Sequence, residues 1–220
     1  MNTGHWKVKD PGSALTHFIG MIVAVLAASP LLIKAAHGLN SAYLGAFVVF
    51  IASMICLYGA STVYHTFDIS EKVNTVLRKI DHAMIFVLIA GSYTPICLIV
   101  LPKSVGLPLL ATVWSITLIG TIFKICWINC PHWLSSVLYI GMGWLVVFAF
   151  SSIMKNLSHD AFMWLLVGGI IYTVGGIIYA LKLPLFKKYN WKNFGNHELF
   201  HCFVMLGSLC HFILVYKYLA

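Results

Sequence analysis

Ala42-Tyr43-Leu44-Gly45-Ala46-Phe47-Val48-Val49-Phe50-Ile51-Ala52-Ser53-Met54-Ile55-Cys56-Leu57-Tyr58-Gly59-Ala60-Ser61-Thr62-Val63-Tyr64-His65 contains no Asp, Glu, Lys or Arg. A helix that crosses the hydrocarbon core of a bilayer needs about 20 such residues, and this stretch supplies them. Its last turn is polar. Ser61 and His65 are four apart and share one face of a helix, so the run ends by presenting a hydroxyl and an imidazole side by side. The rest of the chain follows the same composition, with 60% hydrophobic and 9% charged residues, against roughly 25% charged in an ordinary soluble domain. Lipid leaves backbone groups no partner but each other, so spanning segments of this length are helices. The chain reads as an all-α integral membrane protein.

On both sides of this stretch, apolar runs and polar breaks predict seven transmembrane helices in one bundle domain over residues 1–220, with approximate spans 13–33, 42–65, 76–101, 105–123, 134–154, 161–181 and 198–219. The breaks fall at Asn40-Ser41, Asp68 to Lys72, Pro102-Lys103, Asn129-Cys130-Pro131, Asn156 to Asp160 and Lys182 to Asn196. There is no internal repeat of the kind that marks many transporters. Ala27-Ala28-Ser29-Pro30 follows an apolar segment preceded by Lys7 and Lys9, as in a signal peptide. The segment stays apolar through Ile33, longer than a signal core, so it is read as a retained first span with Pro30 tolerated inside it.

Basic residues set the expected orientation. Lys7, Lys9, Lys72, Arg78, Lys79, Lys124, Lys182, Lys187, Lys188 and Lys192 fall on one side, and only Lys34, Lys103, Lys155 and Lys217 on the other, which accounts for all 14. The positive-inside rule then makes the N-terminus cytoplasmic and the C-terminus extracytoplasmic, in a plasma or bacterial inner membrane. The formal charge of +8 is matched by anionic lipid facing the basic loops, with no need for nucleic acid. The six cysteines lie mostly within spans and make no disulfide framework. Cys126 and Cys130 are spaced for one helix face but lack a second ligand pair.

Ionisable residues at membrane depth are costly and mark function. On this topology Ser61 and His65 close the second span, Asp81 and His82 lie in the first turns of the third, and His197 and His201 open the seventh, all at the cytoplasmic end. His65, His197 and His201 with one open position have the ligand count of a catalytic Zn2+ site. A metal there would lower the pKa of water to about 7, Asp81 is the carboxylate placed to act on that water as general base, and Ser61 is a supporting hydrogen bond. His17 and His82 share the depth and are assigned packing or supporting roles. His211 lies about 15 Å of helix rise beyond His201 and is too deep to join.

The stretches Ser61 to His65, Asp81-His82-Ala83-Met84-Ile85-Phe86-Val87-Leu88-Ile89-Ala90-Gly91-Ser92-Tyr93-Thr94-Pro95 and His197-x-x-x-His201 resemble the hemolysin III family of bacterial membrane proteins, relatives of the progestin and adipoQ receptors. Thr16-His17-Phe18-Ile19-Gly20 is similar to the family's first-span motif, with Ser13 where an Asn is usual and Asp10 where a Glu is expected. The resemblance implies a seven-helix fold, zinc held by His65, His197 and His201, and Asp81 near the water. It also implies a lipid substrate or ligand, because adiponectin-receptor relatives are linked to ceramide hydrolysis and bacterial members to membrane-lipid homeostasis.

His197-Glu198-x-x-His201 formally matches the H-E-x-x-H zinc-protease motif, in which the Glu is the base. An intramembrane metalloprotease is therefore a rival to a metal-dependent lipid amidohydrolase. Against it, Asn196 is a good helix N-cap and an acidic first-turn residue suits the helix dipole, which gives Glu198 a capping or surface role. A zinc-stabilised receptor or lipid sensor without turnover is the main alternative. A haemolytic pore is disfavoured by the absence of a charged ring or polar stripe.

Overall fold

The computed structural model describes residues 7–181 and 194–220, and Lys182, Lys187, Lys188 and Lys192 of the basic loops lie outside the described residues. Among the described residues seven helices are long and apolar enough to cross a membrane: α1 (Pro11–His37), α2 (Ser41–Thr66), α3 (Glu71–Val100), α4 (Lys103–Cys126), α5 (His132–Asn156), α6 (His159–Leu181) and α7 (Asn196–Leu219). Each packs on its neighbours in sequence, α3 also reaches α5, and α7 returns to α1 and closes the bundle.

Local signals explain the helix ends. Pro11 opens α1, where a missing N–H costs nothing. The third helix begins at Glu71, ahead of its apolar run, because Ser70 Oγ accepts the Val73 N–H at 3.3 Å. Asp81 therefore sits ten residues into α3, about 15 Å along its axis, rather than in its first turns. The last helix is capped at Gly195, one residue before Asn196, and Glu198 Oε2 accepts the Gly195 N–H at 2.8 Å. Pro30 lies inside α1 without ending it.

Outward faces carry large apolar side chains, among them Leu26, Ile33, Leu118, Ile119 and Phe148. Such a surface is stable against lipid and would not be against water. Polar groups are instead gathered inside: His17, Ser61, His65, Asp81, His82, Lys124, Ser135 and His201 are all buried.

Midway along α5 the winding tightens from Trp144 to Ala149. The Tyr93 hydroxyl donates to Gly143 O at 2.6 Å and Met142 O at 3.1 Å, and accepts the Val146 N–H at 2.8 Å. It thus replaces backbone bonds that the change of winding sets free, as irregular backbone at membrane depth requires. Tyr93→Phe leaves those groups unpaired. We expect it to destabilise the protein by about 1–3 kcal/mol, read as a lower midpoint of thermal unfolding in detergent; an unchanged midpoint would mean that water or lipid satisfies α5 instead.

Candidate metal centre

Two elements bring three imidazoles together. His65 is one residue from the end of α2, and His197 and His201 occupy successive turns at the start of α7. Their nitrogens fall within 4.8 Å of one another, the one such group found among the described residues. Ring centroids are 4.9 Å apart for His65 and His197, 5.4 Å for His65 and His201, and 4.5 Å for His197 and His201.

Hydrogen bonds on the far side of two rings fix which nitrogen faces inward. Asp10 Oδ2 lies 3.0 Å from His65 Nδ1, and a carboxylate accepts, so His65 carries its proton there. Thr16 Oγ1 lies 3.0 Å from His201 Nδ1 and donates its own proton to Ser13 O at 2.9 Å. With that proton used, Thr16 accepts from His201, which also protonates Nδ1. Each Nε2 is left with a free lone pair, and that of His65 faces His197. His65 Nε2 and His197 Nε2 are 3.1 Å apart, close to the about 3.3 Å expected for two nitrogens placed tetrahedrally at 2.0–2.1 Å from zinc. The residues present therefore fit a divalent metal, with neutral nitrogen donors and oriented rings.

Asp10 is free for this task because its side chain makes no cap bond to α1, while its backbone N–H is held by His65 O at 2.8 Å. Replacing this partner, Asp10→Ala, is expected to weaken binding of a divalent metal at this cluster by roughly 10–100-fold, as loss of a ligand's supporting carboxylate does. Competition with a chromogenic chelator measures it, and unchanged affinity would detach Asp10 from the centre.

Around the cluster, His17 stacks on His201 with ring centroids 3.6 Å apart and planes at 7°. Among the described residues, both nitrogens of His17 are buried with no hydrogen-bond partner. His17, Asp81, His82, His197 and His201 line a cavity of about 20 Å³, room for roughly one water. Asp81 Oδ2 is 3.1 Å from His82 Nδ1. Ser61 is fully buried one turn before His65, and its hydroxyl has no partner among the described residues; the bond to His65 is made by Asp10. Glu198 points elsewhere. Its Oε1 accepts the Ser13 hydroxyl and its Oε2 the Gly195 N–H, so both oxygens clamp α1 and the α7 cap, and it does not line the cavity. His211 is near neither: its Nε2 is 3.3 Å from Leu165 O, against Tyr172.

Beside the small cavity is a much larger one of about 460 Å³ between α3, α5, α6 and α7. Ile85, Tyr139, Tyr179, Phe200 and Val204 border both. The larger space falls in the range of small-molecule sites, and its walls are mainly apolar.

A multi-pass helical membrane protein with a buried three-histidine cluster able to hold a metal ion is the class these features define. The chain belongs to the haemolysin-III related family, whose model matches residues 5–212. It is 39% identical to hemolysin-3 of Bacillus cereus over 96% of this chain and 91% of that protein. The hemolysin-3 homolog of Bacillus subtilis is 37% identical over 96% of this chain and 94% of its own length. The relationship extends to the adiponectin receptor protein of Drosophila melanogaster, 23% identical over 92% of this chain but only 49% of that protein. Residues matched by the family model include every member of the cluster and its Asp10 and Thr16 partners.

Proposed function

We propose that the protein is a zinc-dependent hydrolase of a lipid amide or related membrane lipid, serving membrane-lipid homeostasis. The observation that carries this reading is the shared wall between the small cavity lined by Asp81, His197 and His201 and the large apolar cavity beside it. A molecule with one scissile polar group and a long apolar chain matches that pair of spaces. By the distribution of its basic residues the site faces the cytoplasmic half of the membrane.

Zinc held by His65, His197 and His201 would polarise a carbonyl and ease the loss of a proton from water. The chain's own residues do the rest. Asp81, in the same cavity, takes the proton of the attacking water and returns it to the leaving amine. His17 and Thr16 fix the His201 ring, and Asp10 fixes that of His65. The apolar cavity holds the acyl chain and keeps bulk water away. Glu198 is a poor base here, since both its oxygens are engaged by Ser13 and Gly195, which counts against the protease reading.

The sensor reading has an observation of its own. Side chains of Ile85, Tyr139, Tyr179, Phe200 and Val204 stand between the two cavities, so a carbonyl reaches the histidines only if some of them move. Release of fatty acid from a ceramide-like amide by zinc-loaded protein in lipid vesicles separates the two. Turnover above a metal-stripped control supports the hydrolase; saturable lipid binding without turnover supports the sensor.

A further inference from the structure

Lys124 is the third residue from the end of α4, in a position where a lysine ordinarily extends its amine to the headgroups. It does the opposite. Only 1% of it is exposed, and among the described residues no carboxylate lies within ion-pair distance. Its Nζ lies 3.1 Å from Cys130 Sγ and 2.5 Å from Ser135 Oγ, and the sulfur and hydroxyl are 3.3 Å apart.

The local chain explains this meeting. Trp127 N–H closes on Phe123 O, and Cys130 N–H returns to Trp127 O at 3.3 Å, which folds the turn after α4 back beneath the helix. Pro131 then starts α5 and sets Ser135 in its first turn, with Leu134 N–H on Pro131 O at 3.1 Å. Cys130 is 6% exposed and Ser135 2%. Neither cavity touches Lys124, Cys130 or Ser135. With so little exposure and neither cavity beside it, this amine and thiol suit a reactant as small as a peroxide better than a large organic substrate. Cys126, by contrast, is exposed.

We propose that Lys124 and Cys130 form a site of covalent modification, in which a hydroperoxide oxidises the Cys130 thiol and the Lys124 amine captures the product as a sulfur–nitrogen bond. The Cys130 sulfur attacks a peroxide oxygen; an S–O bond forms, the O–O bond breaks, and with hydrogen peroxide one water leaves. The sulfur is oxidised by two electrons and the peroxide is reduced by the same two. Sulfenic acids condense with adjacent nitrogen nucleophiles. The Lys124 nitrogen attacks the sulfur, the S–N bond forms, the S–O bond breaks, and the departing hydroxide takes the amine's proton as a second water. One thiol, one amine and one hydrogen peroxide thus give one sulfenamide and two waters. Contact at 3.1 Å makes capture intramolecular, ahead of further oxidation of the sulfur. The link ties up the lysine nitrogen and staples the end of α4 to the turn before α5.

Full-length protein in lipid nanodiscs, treated with hydrogen peroxide and digested with trypsin, tests this by peptide mass. The expected result is loss of cleavage after Lys124, loss of thiol labelling at Cys130, and a linked species lighter by two hydrogens, reversed by a thiol reductant. In Lys124→Arg the oxidised Cys130 should stop at sulfenic acid and be trapped by a dimedone-type reagent. If that variant does not fold, the wild-type map still decides, with Cys126 as internal reference. Cys130 left unreacted while Cys126 oxidises, or Cys130 carried to sulfinic acid with Lys124 still cleavable, would overturn the proposal.

Discussion

Asp81→Asn is expected to keep most of its zinc and to lose hydrolysis of a ceramide-like amide by roughly 10²–10⁴-fold, the usual contribution of a general base. The carboxylate lines the small cavity with His197 and His201 but is absent from the group of convergent ligand nitrogens. Removing its charge should therefore spare the metal and remove the proton acceptor. Glu198→Gln is the matched control. It disturbs a clamp to Ser13 and the Gly195 cap, so its effect should appear in stability, at about 1 kcal/mol, with turnover per folded molecule preserved. If Glu198→Gln abolished cleavage of a membrane-spanning peptide while Asp81→Asn did not, the protease assignment would replace this one.

His65→Ala, His197→Ala and His201→Ala should each reduce zinc affinity by more than the roughly 10–100-fold that follows loss of a supporting hydrogen bond. A neutral nitrogen donor cannot be replaced by an alanine methyl. His211→Ala should leave zinc unchanged, because that imidazole sits on Leu165 O beside Tyr172, away from the cluster. Equilibrium dialysis with metal analysis on the four variants reads both outcomes. Equal loss from His211→Ala would mean that zinc responds to general packing and not to this cluster.

Much of this was legible in the sequence because lipid simplifies the reading. Uncharged runs of spanning length declare the helices, and imidazoles placed at one depth by alternating helix direction converge, as His65, His197 and His201 do. What stayed hidden depended on side-chain direction. Ser61 is on the right helix and one turn from His65, yet Asp10 makes the bond to the ring, because the segment before α1 folds against the end of α2 through Asp10 N–H and Lys9 N–H. The departure at Asp10 from the expected Glu was a visible signal, but spacing could not say which imidazole it served. The stacking of His17 on His201 depends on how α1 and α7 approach, which no one-dimensional pattern encodes. The change of winding in α5 is equally silent, since Gly141-Met142-Gly143 is tolerated in straight membrane helices too. The sequence places Lys124 among the basic residues of one side, and only the turn at Trp127 to Cys130 reveals that it points inward.

X-ray absorption at the zinc edge of the purified wild-type protein tests the three-histidine centre most directly. About one zinc per chain is expected, with three imidazole nitrogens at about 2.0–2.1 Å and one further light-atom neighbour, and the imidazole signal should fall in His201→Ala. A protein that folds and binds lipid with no zinc, or zinc with sulfur neighbours near 2.3 Å, would contradict it.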